Sequence, residues 1–201
     1  SGNWLTTMSD PQHTPNLYTL INGTLNQITK VNEEWLSKID LATVTGFKST
    51  SKDGTSVSGL LLKHADVGDK KLPLILFIHG GPVAQDEFSF DLTRQVLAAD
   101  GFAVAAVNYR GSNGKGVAFS RAIYGDWGNL EVQDLLGATD YLVKENLVDA
   151  NKLGIGGWSY GGILTNYTIA TDTRFKAGVS GAGSAMQLSM YGIDQYMLQW
   201  N

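Results

Sequence analysis

The sequence has no cysteine and few charged residues. The lack of cysteine excludes disulfide bonds and thiolate metal sites within these 201 residues, and it leaves the cellular compartment open. Charged residues make up 17% of the sequence, and the net charge is −4 with no basic cluster. Because nucleic-acid binding depends on clustered Lys and Arg, we expect no nucleic-acid partner. A composition poor in charge and rich in Asn, Ser and Thr favours an exported bacterial protein, periplasmic or secreted, without assigning the compartment.

Long apolar runs are also missing. No stretch of 18 or more apolar residues occurs, so we expect no membrane-spanning helix. Hydrophobic residues nevertheless make up 43% of the chain, which is enough for a folded core. The chain begins at Ser1-Gly2-Asn3 without the basic and apolar segments of a signal peptide. We expect it to be part of a longer gene product.

Residues 1–36 have the pattern of β-structure. Segments 16–20 and 24–29 flank Asn22-Gly23, which is a strong signal for a two-residue hairpin turn. Two strands alone cannot bury a face, so this hairpin needs neighbours. It could pack on the domain that follows, or it could be the last part of a larger β array, which we favour. We therefore predict a first unit over 1–36 and a second over 37–201.

The second unit begins with strands and continues as alternating strands and helices. Segments 44–49 and 57–62 read as a hairpin around Asp53-Gly54. The apolar patterns beyond it predict strands over 72–78, 102–107, 152–156 and 175–180, and helices over 89–100, 129–146 and 161–170. Repeated strand–helix units predict an α/β fold with a mainly parallel sheet and helices on both faces.

The strongest chemical signal is Gly157-Trp158-Ser159-Tyr160-Gly161, between a predicted strand and a predicted helix. This G-x-S-x-G pattern is typical of the nucleophile turn of α/β-hydrolases, where small residues allow a strained strand-to-helix turn that exposes the serine hydroxyl. The N-terminus of the following helix can stabilise negative charge on a substrate oxygen. We therefore predict Ser159 as the nucleophile and the Tyr160 N–H as an oxyanion donor.

A second signal is His79-Gly80-Gly81-Pro82, directly after the apolar strand 72–78. Two glycines at the carboxyl end of a strand let backbone N–H groups face a ligand without obstruction by side chains. In a hydrolase this loop supplies the second oxyanion donor. We expect the His79 side chain to organise the loop rather than to act as the general base.

The acid and the histidine of a catalytic triad are missing from the expected places. In α/β-hydrolases the order along the chain is Ser, acid, His, and here all three histidines precede Ser159. Only Asp172 and Asp194 follow the nucleophile as acids. Asp172 comes too soon after the predicted helix and Asp194 lies in an apparent excursion over the site, so neither fits the triad acid. We expect the catalytic domain to continue beyond Asn201.

Several motifs in this order resemble the prolyl oligopeptidase family of serine peptidases, specifically its acylaminoacyl-peptidase and dipeptidyl-aminopeptidase branch. The matching segments, which cover the chain from about residue 40, are Phe47-Lys48-Ser49 with Asp53-Gly54, His79–Pro82, Asn108-Tyr109-Arg110-Gly111-Ser112, Gly125–Gly128, and Gly156–Gly162.

The resemblance implies a β-propeller before an α/β-hydrolase domain, so that 1–36 would be strands of its last blade. It also implies that Ser159 forms an acyl-enzyme with a short peptide, with backbone N–H groups of Tyr160 and Gly81 as the oxyanion hole. His79 and Gly80 would organise the loop and Tyr109 would brace it. No cofactor or metal is implied.

Without a base, Ser159 would be an ordinary alcohol, so we expect the 201-residue chain to be inactive by itself. An open sheet edge could favour a homo-oligomer. The sequence leaves open which residues the peptidase would release from a peptide.

Three other interpretations remain possible for the sequence. A carboxylesterase or lipase would share the nucleophile turn, and a non-catalytic binding module could keep the fold. A Rossmann dehydrogenase fits the topology alone, because the glycine run at Gly154-Ile155-Gly156 has Ser159 where the third glycine should be.

Overall fold

The computed structural model describes residues 3–68 and 70–190. Its strands are β1 (Trp4–Asp10), β2 (His13–Ile21), β3 (Thr24–Gln27), β4 (Thr43–Thr50), β5 (Ser56–Lys63), β6 (Leu72–Ile78), β7 (Ala103–Asn108), β8 (Val148–Trp158) and β9 (Ala177–Gly181). Its helices are α1 (Glu33–Leu36), α2 (Leu92–Ala99), α3 (Val117–Arg121), α4 (Leu130–Lys144) and α5 (Tyr160–Thr171). The strands form a three-stranded sheet, β1-β2-β3, and a six-stranded sheet in the order β4-β5-β7-β6-β8-β9.

The N-terminal sheet is antiparallel throughout. Its β2–β3 turn has Asn22 at φ 49° and Gly23 at φ 80°, the two positive angles that an Asn-Gly hairpin turn requires. The sequence did not single out β1, which makes the hairpin part of a three-stranded sheet. Residues 1–36 are also not entirely β, because α1 occupies 33–36.

The six-stranded sheet is mixed. Strands β4, β5 and β7 pair antiparallel, whereas β7, β6, β8 and β9 pair parallel. The β4–β5 pair is the hairpin predicted around Asp53-Gly54, and the parallel part is the predicted strand–helix alternation. The antiparallel pairing of β5 with β7 joins the two parts. The α/β-hydrolase type of fold is therefore confirmed. Parallel pairing is confined to β6, β7, β8 and β9.

Helices cover both faces of this sheet because strand side chains alternate between faces. On one face Val104 of β7 and Leu62 of β5 pack with Ala98 of α2. On the other face the core includes Leu135 of α4 and Leu164 of α5. Two faces buried by helices explain why the central strands are apolar over most of their length.

Helix α2 begins later than the predicted start at residue 89. The Asp91 side chain accepts a hydrogen bond from the Arg94 N–H at 3.0 Å and so acts as the N-cap. Gly101, at φ 89°, follows the helix and reverses the chain. The short helix α3 was not predicted from the sequence.

The strand order places two loops side by side. Strands β6 and β8 are parallel neighbours, and Ile78 pairs with Gly157 at their carboxyl ends. The loop after β6 begins at His79, and the turn after β8 contains Ser159. Both predicted chemical motifs therefore meet at one edge of the sheet.

Candidate active site

Ser159 occupies a strained turn between β8 and α5. Its backbone has φ 56° and ψ −121°, a conformation of positive φ that is unfavourable for a residue with a Cβ. The Ser159 N–H donates to the Gly181 carbonyl of β9 at 2.9 Å, which fastens the turn to the neighbouring strand. The residue is exposed to solvent, so its hydroxyl is accessible to a substrate.

The two glycines of the G-x-S-x-G motif are needed because the end of β6 lies too close to them for a side chain. A Cβ on Gly157 would lie 2.5 Å from the Ile78 carbonyl oxygen, and one on Gly161 would lie 2.1 Å from the same oxygen. Real Cβ atoms do not approach a backbone oxygen so closely. The G-x-S-x-G spacing therefore lets the start of α5 pack directly on β6.

Helix α5 begins immediately after Ser159. The first N–H groups of a helix have no acceptor within the helix, and they form its positive end. The Tyr160 N–H is the first of them. Negative charge that develops on an oxygen beside Ser159 would be stabilised there.

The glycine loop after β6 packs against this turn. A Cβ on Gly80 would lie 3.0 Å from the Trp158 carbonyl oxygen and 3.3 Å from the Ser159 Cβ. Gly81 follows at φ 126°, where a side chain would be strained. The structure thus brings Gly80, Ser159 and Tyr160 of the two predicted motifs together.

His79 is held in place from several sides. Its Nδ1 lies 2.7 Å from the Gly80 carbonyl oxygen, and its Nε2 lies 2.9 Å from Ser112 Oγ. These partners assign the proton to Nδ1, with the Ser112 hydroxyl donating to Nε2. The ring stacks on Tyr109 at a centroid distance of 4.4 Å, and Tyr109 Oη donates to the His79 carbonyl oxygen at 2.8 Å.

Burial lowers the pKa of His79, and the buried Asp86 partly opposes this effect. As the pH falls, His79 of the unfolded chain should therefore be protonated near pH ~6.5, and His79 of the native protein only at a lower pH. We expect the free energy of unfolding to fall as the pH drops from about 7 to about 5.5. His79→Gln should make this fall smaller, as measured by urea unfolding at several pH values.

Equal pH dependence in His79→Gln and the wild type would show that His79 does not stay neutral in the native state.

Asp86, which the sequence did not single out, secures the far end of the glycine loop together with Asn108 of the 108–112 motif. The Asp86 N–H donates to Asn108 Oδ1 at 2.7 Å, and Asn108 Nδ2 donates to the Asp86 carbonyl oxygen at 3.0 Å. The Asp86 carboxylate forms a buried ion pair with Arg94 of α2. The loop is therefore tied to β7 and to α2.

Arg110 lies two residues beyond the end of β7. Its guanidinium is buried and pairs with Asp134 of α4 at 2.7 Å, and it also binds Asp53 and Ser51. Hydrogen bonds from the Thr55 N–H and from Arg110 lower the pKa of Asp53 to about 2. The motif at 108–112 and the Asp53-Gly54 turn are thus joined by one buried arginine.

No described histidine or acid completes a triad. His13 contacts Asp10 at 2.9 Å, and His64 contacts Asp40 at 3.8 Å. Asp172 ends α5 and pairs with Arg174 at 2.8 Å. Asp194 lies outside the described residues.

Within 3–68 and 70–190, no group of three His, Asp or Glu side chains could hold a metal ion.

Comparison with known proteins assigns the family. Residues 88–201 match the prolyl oligopeptidase family. The chain belongs to this family. An uncharacterized peptidase of Bacillus subtilis is 33% identical over 193 residues, covering 94% of this chain and 29% of that protein. The dipeptidyl aminopeptidase BIII of Pseudoxanthomonas mexicana is 39% identical over 117 residues, covering 57% of this chain and 17% of that protein.

A solved prolyl oligopeptidase family structure has the same architecture. The acylaminoacyl peptidase of Pyrococcus horikoshii superposes with a TM-score of 0.89 at 29% identity, covering 100% of this chain and 33% of that one. The chain therefore spans a third or less of the length of these relatives. Among the helices described, none is long and apolar enough to cross a membrane.

Proposed function

We propose that Ser159 is the nucleophile of a serine peptidase that acts on short peptides. The proposal rests on the exposed position of Ser159, at a strained turn of positive φ between strand β8 and the N-terminus of helix α5. Family membership supports a peptidase, and the relatives' names include a dipeptidyl aminopeptidase and an acylaminoacyl peptidase. Which residues are released from the peptide is a matter for substrate profiling.

In this proposal the oxyanion hole is formed by backbone N–H groups of Tyr160 and Gly81. Tyr160 begins α5, and the Gly80 backbone packs on Ser159, so the neighbouring Gly81 is close to the nucleophile. Backbone donors in fixed positions stabilise a developing oxyanion without reorganisation. His79, Gly80 and Tyr109 would keep the loop in this position through the contacts described above.

The general base would come from outside residues 1–201. Every histidine of this chain precedes Ser159. His13 pairs with Asp10, His64 with Asp40, and the His79 ring with Ser112. In the reaction, Ser159 Oγ attacks the peptide carbonyl carbon while its proton passes to a histidine, which then protonates the leaving amine. Water releases the acyl group by the reverse proton transfers. We infer that the 201-residue chain alone has little activity.

Substrate comparison on the gene product that contains this chain tests the proposal. We expect hydrolysis of aminoacyl or dipeptidyl p-nitroanilides, and covalent labelling of Ser159 by a fluorophosphonate. The 201-residue chain assayed in parallel should give neither at a comparable rate. Activity on p-nitrophenyl esters alone would instead favour a carboxylesterase, and no labelling would favour a binding module.

Two further parts of the proposal concern organisation. We infer that residues 1–36 belong to the last blade of a β-propeller and that 37–201 belong to the peptidase domain. Exposed apolar side chains on the N-terminal sheet, such as Trp4 (68% exposed) and Leu5 (65% exposed), support a missing neighbour there. For the 201-residue chain by itself a homo-oligomer is also proposed, because β9 pairs only with β8 among the described strands.

A further inference from the structure

A buried carboxyl group lies next to the nucleophile turn. Glu131, in the first turn of α4, is 0% exposed. Its Oε1 accepts hydrogen bonds from Tyr160 Oη at 2.5 Å and from the Gly128 N–H at 3.0 Å. Its Oε2 is buried and has no hydrogen-bond partner among the described residues. Burial raises the pKa of Glu131, and the hydrogen bond from Tyr160 lowers it.

The Tyr160 side chain is enclosed between this carboxyl and two aromatic rings. Trp127 meets it edge-on at a centroid distance of 4.9 Å, and Tyr109 stacks on it at 6.2 Å. Burial and the nearby Glu131 raise the pKa of Tyr160, so its hydroxyl stays protonated and donates. The hydroxyl group therefore fixes the position of the Tyr160 ring, and the Tyr160 backbone begins α5.

The same set of contacts extends to the glycine loop. Tyr109, which stacks on Tyr160, also stacks on His79 and donates to the His79 carbonyl oxygen. The two segments proposed to carry the oxyanion donors thus attach to one buried group of side chains. We name it the Glu131 cluster, consisting of Glu131, Trp127, Tyr160, Tyr109 and His79.

We propose that Glu131 is a positioning residue for the oxyanion hole, holding Tyr160 by its hydroxyl and thereby fixing the Tyr160 N–H beside Ser159. This inference rests on the function proposed above. Oxyanion donors act at about 2.7–3.1 Å, and a displacement of about 1 Å can lower the rate about 100-fold. A purely stabilising role fits poorly, because a buried carboxyl with an unpartnered oxygen is unfavourable for folding.

The test uses the gene product that contains this chain, with substitutions on both sides of the hydrogen bond. Tyr160→Phe and Glu131→Leu should each lower kcat about tenfold, with KM within about twofold of the wild type. Glu131→Gln keeps an oxygen acceptor and should retain most of the wild-type kcat. The double variant Glu131→Leu/Tyr160→Phe should be no slower than the slower single variant, because both changes remove one contact.

Leu142→Ala is the matched control for loss of stability. Leu142 is 0% exposed on the same helix, three turns beyond Glu131 and about 16 Å away along the axis. It should lower the melting temperature and leave kcat near the wild-type value. If kcat instead follows the melting temperature in all variants, Glu131 has only a structural role and the inference is wrong.

The outcomes separate this inference from the proposed function. An active wild type with an unchanged kcat in Tyr160→Phe would overturn the role of Glu131 alone. A wild type that neither hydrolyses the p-nitroanilides nor reacts with a fluorophosphonate would overturn the proposed peptidase function, and the positioning role with it. Tyr160→Phe removes one oxygen atom only, so the comparison holds even if Glu131→Leu does not fold.

Discussion

Replacing Ser159 with Ala is expected to lower kcat/KM for p-nitroanilide hydrolysis by about 10⁴- to 10⁶-fold in the gene product that contains this chain. The change removes the attacking oxygen and leaves only substrate binding and oxyanion stabilisation. Because Ser159 is exposed and holds its turn through its backbone N–H, the substitution should leave the melting temperature nearly unchanged. Kinetics and a thermal melt on the same preparation check both parts.

Ser37→Ala provides the matched control for this result. It is the same chemical change at an exposed serine directly after α1, far along the chain from the nucleophile turn. Its kinetics should equal those of the wild type. If Ser159→Ala retained more than about one hundredth of the wild-type kcat/KM, another residue would be the nucleophile.

Gly161→Ala is expected to have the largest effect on the fold. The new Cβ would lie 2.1 Å from the Ile78 carbonyl oxygen and 2.9 Å from its carbonyl carbon, so backbone must move. We expect a loss of about 3 kcal/mol in the free energy of unfolding, at the upper end for overpacked sites. Separation of α5 from β6 should also lower kcat/KM at least about 100-fold, since it displaces Ser159.

Gly154→Ala is the same substitution seven residues earlier, within β8. Its Cβ would come no closer than 3.4 Å to any neighbour, an ordinary contact with the Leu74 carbonyl oxygen. The free energy of unfolding should change by less than about 1 kcal/mol. Similar urea midpoints and rates for the two alanine variants would contradict the close packing of α5 on β6.

The order of elements was predictable because local rules act over a few residues. The apolar run at 72–78 matches β6 in full, and Asn22-Gly23 forms the hairpin turn that its side chains favour. Element ends were less predictable. Helix α2 begins at Leu92 because the Asp91 carboxylate caps it, and nothing in the preceding polar residues distinguishes Asp91 from other candidate caps.

The partners of the buried acids in α4 could not be predicted from the sequence. Glu131 and Asp134 lie on the same helical stripe as Val132 and Leu135, so their spacing could have indicated burial. The pattern does not reveal which side chain each acid binds. Asp134 pairs with Arg110, and Glu131 accepts from Tyr160, only because β7, α4 and α5 are neighbours around one core.

The sequence by itself determined the strand–helix alternation, the family resemblance and the prediction of Ser159 as nucleophile, because each depends on contiguous residues with specific backbone demands. The tertiary structure decided that the loop after β6 meets the turn after β8, since the sheet order makes these strands neighbours. It also decided the partners of His79, Arg110 and Glu131. A buried polar group is satisfied by whichever chain segment the fold brings beside it, and that choice depends on contacts far apart in sequence.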